Sequence, residues 1–124
     1  MDNREFKIIL EKRTLDFAIE TVRFCMHLRK MDIPNALITQ LLKAGTSIGG
    51  NYREANRAES KNDFIHKIGI VEKEASETIY WLEVLNGSKL LDTSTSNTSN
   101  ILFKEAKKLL AIFNSISRNS KKKC

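Results

Sequence analysis

Apolar residues recur along this chain at alternating steps of three and four, the repeat of an α-helix with one buried face. In the first stretch, about Arg4 to Lys30, Phe6, Leu10, Phe17, Phe24 and Leu28 form one row, and Leu15, Ile19, Val22 and Met26 form a second. With Ala18 and Cys25 the two rows span roughly 200° of the helix, wider than the stripe of a surface helix. This helix is expected to meet more than one neighbour.

The sequence Met31-Asp32-Ile33-Pro34 ends it, because the residue before proline is pushed out of the α region. A second helix is predicted from Pro34, placed in its first turn, to about Arg57. Its seam is Leu37, Leu41, Ala44, Ile48, Tyr52 and Ala55, flanked by Ile38 and Leu42. A third helix, 60–86, opens on Ser60 as N-cap with Asp63 three residues on in the capping-box position. Phe64, Ile68, Val71, Ala75, Thr78, Leu82 and Leu85 then give a heptad seam, and Asn86-Gly87 is expected to close it.

Residues 92–100, Asp-Thr-Ser-Thr-Ser-Asn-Thr-Ser-Asn, read as a loop. A fourth helix, 98–117, capped by Thr98 or Ser99, carries Leu102, Ala106, Leu109, Phe113 and Ile116 as its seam. Residues 119–124 read as a frayed basic tail. Four amphipathic helices with short connections predict an all-α, up-down-up-down antiparallel four-helix bundle over residues 1–118, one domain without internal repeats.

Composition agrees with this pattern: 41% of residues are apolar, with one proline and five glycines in 124. No apolar run reaches the ~20 residues that span a bilayer, and the start has no signal-peptide cleavage pattern. Cys25 sits inside an apolar row and Cys124 is the last residue, so no disulfide framework is expected and a reducing cytoplasm is the simpler setting.

The stretch Gly45-Thr-Ser-Ile-Gly49-Gly50 lies within the second helix. Gly45 falls in its apolar arc and Gly49 at the edge of that arc, a spacing that lets a second backbone approach closely. A local kink near Gly49–Gly50 is the alternative. Gln40, Ser47, Asn51 and Glu54 align on one flank of the seam, as a hydrogen-bonded boundary between packed helices or as an active-site row. On the third helix Ile70, Trp81 and Val84 lie off the seam and are candidates for an oligomer interface. Trp81 packed on the chain's own 88–100 loop is the alternative.

Charge is uneven: residues 93–124 hold seven Lys/Arg against Glu105 alone, an excess as large as the +6 of the whole chain. Lys104, Lys107, Lys108, Arg118, Lys121, Lys122 and Lys123 are candidate phosphate contacts, which would bind nucleic acid without reading sequence. Such lysines also complement a helix dipole and keep a protein soluble. Catalysis is not indicated. A di-metal bundle site needs Glu-x-x-His pairs, and neither His27 nor His66 has a glutamate three residues before it. The glycine stretch lacks the lysine and preceding strand of a phosphate loop. No catalytic group, metal or cofactor is expected.

Ser47, Ile48, Asn51 and Glu54 on the second helix, then Ser60, Asp63, Phe64, Ser76 and Glu77 on the third, resemble the signature of the bacterial 23S rRNA intervening-sequence proteins. The resemblance covers roughly residues 36–85. It departs at Asn51-Tyr-Arg-Glu-Ala55, where Arg53 and Ala55 replace the family's usual first alanine and its glycine. It implies a small cytoplasmic bundle assembling as a ring-shaped homopentamer. A related group serves as accessory to retroelement reverse transcriptases. The expected partners are therefore RNA or another nucleic acid, contacted by the basic quarter, or such a reverse transcriptase or another protein; no membrane is expected. No activity is implied.

Overall fold

The computed structural model describes residues 2–122 and consists of four helices: α1 (Asn3–Leu28), α2 (Asn35–Ala55), α3 (Lys61–Ser88) and α4 (Thr93–Lys122). Each helix packs on the next, and α1 and α4 close the square along its sparsest edge. Diagonal helices meet only through side chains in the centre, as where Tyr52 of α2 and Phe113 of α4 pack edge to face with ring centroids 5.1 Å apart. Along α1 and α2 the partners run in opposite order: Cys25 by Ile38, Thr21 by Gly45, Thr14 by Gly49 and Glu11 by Asn56.

The seams supply the core. On α3 every seam residue from Ile68 to Leu85 is buried, and on α4 so are Leu102, Ala106, Leu109 and Phe113. Phe64, Leu37 and Ile116 sit half-buried at the rim. The second apolar row of α1 is another matter. Leu15, Ile19, Val22 and Met26 face outward, and what the core takes from α1 is Leu10, Thr14, Phe17, Thr21, Phe24, Cys25 and Leu28. Within the chain α1 meets two neighbours, α2 and α4, as its wide apolar arc predicts, and its outward row stays exposed beside them.

Helices one and two end about two residues earlier than the sequence reading, and four further boundaries differ for a clear local reason. Pro34 (φ −54°, ψ 128°) precedes α2 as its cap residue, and its carbonyl accepts the first N–H bonds from Leu37 and Ile38. Helix α3 runs through Asn86-Gly87, because the Asn86 side chain accepts from Ser99 Oγ at 2.8 Å on α4. The helix stops at Ser88, with Lys89 in the left-handed conformation at φ 62°.

Helix α4 starts at Thr93, five residues before the predicted cap. Asp92 is the actual cap: its Oδ1 accepts the Thr95 N–H at 2.9 Å and the Thr95 hydroxyl at 2.8 Å. Thr95 and Ser99 are both buried, so tertiary packing holds a helical turn of low intrinsic propensity. At its other end α4 continues to Lys122, so residues 119–122 are helix rather than frayed tail, with Lys121 and Lys122 complementing the helix dipole. Lys123 lies outside the described residues.

Candidate nucleic-acid interface

Six of the seven basic candidates lie within the described part of α4, and all six are exposed: Lys104, Lys107, Lys108, Arg118, Lys121 and Lys122. At 100° per residue they fall within an arc of roughly 140° facing away from the buried seam. From Lys104 to Lys122 this rail is about 27 Å long at 1.5 Å per residue. The acid of this helix, Glu105, is outside the arc. It is held by Arg13 of α1 in a two-bond fork, Nε to Oε2 at 2.7 Å and the second guanidinium nitrogen to Oε1 at 2.8 Å.

None of the six rail cations forms an ion pair among the described residues. Lys107 lies over an aromatic face, its ammonium 5.3 Å from the centre of the Phe103 ring. A row of uncompensated cations along one helix can follow a phosphate backbone; it offers no fixed polar geometry for reading bases.

The other candidates fall elsewhere. An added Cβ at Gly45 would sit 2.7 Å from Thr21 Cγ2, and one at Gly49 would sit 3.0 Å from Thr14 Oγ1 and 3.3 Å from the Thr14 backbone. The glycines therefore set the α1–α2 approach, and α2 runs unbroken through Gly49–Gly50. Thr14 and Thr21 are fully buried with hydroxyls bonded back to Leu10 and Phe17 carbonyls. Sequence reading missed both threonines. Their signal was a seven-residue spacing inside the row Leu10, Phe17, Phe24.

On the polar line the bonds stay within α2: Ser47 Oγ donates to the Lys43 carbonyl at 2.6 Å and Asn51 Nδ2 to the Ser47 carbonyl at 2.8 Å. Gln40 and Glu54 are exposed. The line neither bridges helices nor converges on a reactive centre. At the departure from the family pattern, Arg53 reaches Glu11 of α1 at 3.8 Å, and Ala55 is buried. Ile70, Trp81 and Val84 are half-buried, with Trp81 packed on the core; the neighbouring Tyr80 is the exposed aromatic, 58% accessible and edge-on to the Trp81 ring.

Groups able to do covalent chemistry are scattered. Cys25 is fully buried and burial pushes its thiol up to about 11, where little thiolate forms. No group of three His, Cys, Asp or Glu side chains among the described residues could hold a metal ion. A crevice of about 590 Å³ opens at one end of the bundle between Phe6, Tyr52, Phe64, Ile112 and Ile116. Behind it Asn56 donates to Glu11 at 2.9 Å. No helix among the described residues is long and apolar enough to cross a membrane.

The sequence model of the 23S rRNA-intervening sequence protein family matches residues 7–112, most of the chain. The chain belongs to that family. A solved relative, a protein of unknown function from the S23 ribosomal protein family of Bacteroides thetaiotaomicron VPI-5482, superposes with a TM-score of 0.79. The two are 33% identical over 86% of this chain and 96% of the relative. No curated protein matches. The signature residues of this 23S rRNA-intervening sequence protein are largely structural. Ser60 caps α3 by accepting the Asp63 N–H at 3.0 Å, Asp63 accepts from the Glu59 N–H, and Glu77 pairs with Lys73 at 4.0 Å.

Proposed function

We infer that this family member is a non-enzymatic protein that binds the phosphate backbone of RNA or another nucleic acid and assembles from identical copies, the ring-shaped pentamer its family resemblance implies. The observation that carries the reading is the α4 rail: six exposed, unpaired cations on one helix face. In an assembly of identical chains the rail recurs once per subunit, which multiplies a weak contact by avidity. A structured RNA or a nucleoprotein particle is the partner this chemistry suits.

The test is fluorescence anisotropy of a labelled structured RNA across a salt series. Binding should weaken steeply with salt. Replacing Lys104, Lys108 and Lys122 by Ala should flatten the slope of log K against log salt by about 0.7–0.9 for each phosphate that is no longer neutralised. An unchanged slope and affinity would remove the rail from the reading. Absence of binding at low salt favours a protein–protein adaptor, to which the outward apolar row of α1 would then belong.

A further inference from the structure

Two faces of this bundle have no reason to exist inside one chain. The first is on α1, where Ile8, Leu15, Ile19, Val22 and Met26 are 40–60% exposed and stand in one row. The row is on the order of 400 Å² of apolar surface, the size that marks interaction sites, and roughly half of what one partner buries in a stable interface. Charges along its margin are already paired with each other, Lys12 with Asp16 at 3.3 Å and Arg23 with Glu20 at 2.9 Å. Beside it, over the α1–α2 seam, a hollow of about 220 Å³ is lined by Leu15, Ala18, Thr46, Gly49 and Gly50.

The second face is the outer side of α3, where exposed Tyr80 stands between Gly69 and Gly87, with Ser76 on the same side. A Cβ at Gly50, Gly69 or Gly87 would meet nothing within 4 Å, and no glycine has positive φ. Gly50 and Gly69, in helix interiors, each cost about 1 kcal/mol relative to alanine with no compensating approach inside the chain. The space their missing side chains leave is open to something that arrives from outside.

We propose that the α1 face of one copy receives the α3 face of the next, with Tyr80 seated in the Gly50 hollow. The spacing supports this pairing. Ile8, Ile19 and Met26 are separated by eleven and seven residues, and so are Gly69, Tyr80 and Gly87. Helices α1 and α3 point the same way in the bundle, so with Tyr80 beside Ile19 the side chain of Ile8 meets Gly69 and that of Met26 meets Gly87. Because α1 and α3 are diagonal, the faces look in opposite directions. Such a contact is head-to-tail, giving a ring where the rotation between copies closes and an open filament where it does not. A single chain carrying both matched halves argues for a second copy over a foreign partner, and the α4 rail, at a third corner, stays open. The assignment rests on the self-assembly part of the proposed function.

Light scattering with circular dichroism tests it. Wild type should exceed the 14.2 kDa of one chain. Ile19→Glu and Tyr80→Glu should each be helical and run as single chains. Mixed, they should form a one-to-one pair and nothing larger, since one intact α1 face and one intact α3 face remain. Gly50→Leu, at an open helical position, should fold at least as well as wild type yet weaken association at least tenfold. Wild type at the mass of one chain would overturn self-assembly itself. Assembly that survives either glutamate, or variants that do not pair on mixing, would overturn this interface alone.

Discussion

Gly45, Gly49 and Gly50 share a helix but answer to different neighbours. At Gly45 the nearest atom to an added Cβ is Thr21 Cγ2 at 2.7 Å, a distance that real side chains do not tolerate. Gly45→Ala should therefore cost about 1–3 kcal/mol, the range for overpacking a dense core. Thr21→Ser deletes the offending methyl and should recover part of that loss in the double variant, as non-additivity between touching residues requires. Gly50→Ala meets open space and should raise stability by up to ~1 kcal/mol. Urea midpoints for the three variants decide the matter. Equal effects at 45 and 50 would mean that Thr21 does not set the approach.

At the scale of elements, α4 shows what a sequence pattern can and cannot deliver. Its seam from Leu102 to Phe113 was legible because apolar periodicity alone dictates it. Its first turn was not, because Thr, Ser and Asn look like a loop until Thr95 and Ser99 are seen buried and Asp92 is seen capping them. The same limit hid the passage of α3 through Asn86-Gly87, which depends on a bond to Ser99 from another helix. The basic face was readable as a set of lysines, but its continuity required α4 to reach Lys122.

The Asp92 cap has a pH signature. The Thr95 N–H and hydroxyl hold its carboxyl below the usual carboxylate range. A folded pKa below the unfolded one means that the contribution is complete above the ordinary value near ~3.9 and fades as pH falls through the depressed one. Asp92→Asn keeps the acceptor without the charge. Its thermal midpoint should fall below wild type at pH 7, where the charged cap complements the helix N-terminus, and the gap should shrink as pH is lowered through the acid range below the ordinary carboxylate value. A gap independent of pH would show that Asp92 does not titrate with the fold.

For the molecule as a whole, the α1–α4 edge is where the square is least secured. Between α1 and α2 the glycine–threonine contacts bring the backbones together, and α2–α3 and α3–α4 carry the broad heptad seams. Between α1 and α4 the packing is sparse, and its one ion pair among the described residues is the Arg13–Glu105 fork. Both side chains are partly exposed, 37% and 28%, so the fork contributes about 1 kcal/mol, the upper end for exposed pairs. Its position matters more than its magnitude, since sub-global opening starts where burial is least. Arg13→Ala should speed native-state hydrogen exchange along α1 while leaving α3 near its global limit. The exchanged pair Arg13→Glu with Glu105→Arg should restore much of the protection. Uniform acceleration across all four helices would instead mean that the bundle opens as a single unit and that this edge is no weaker than the rest.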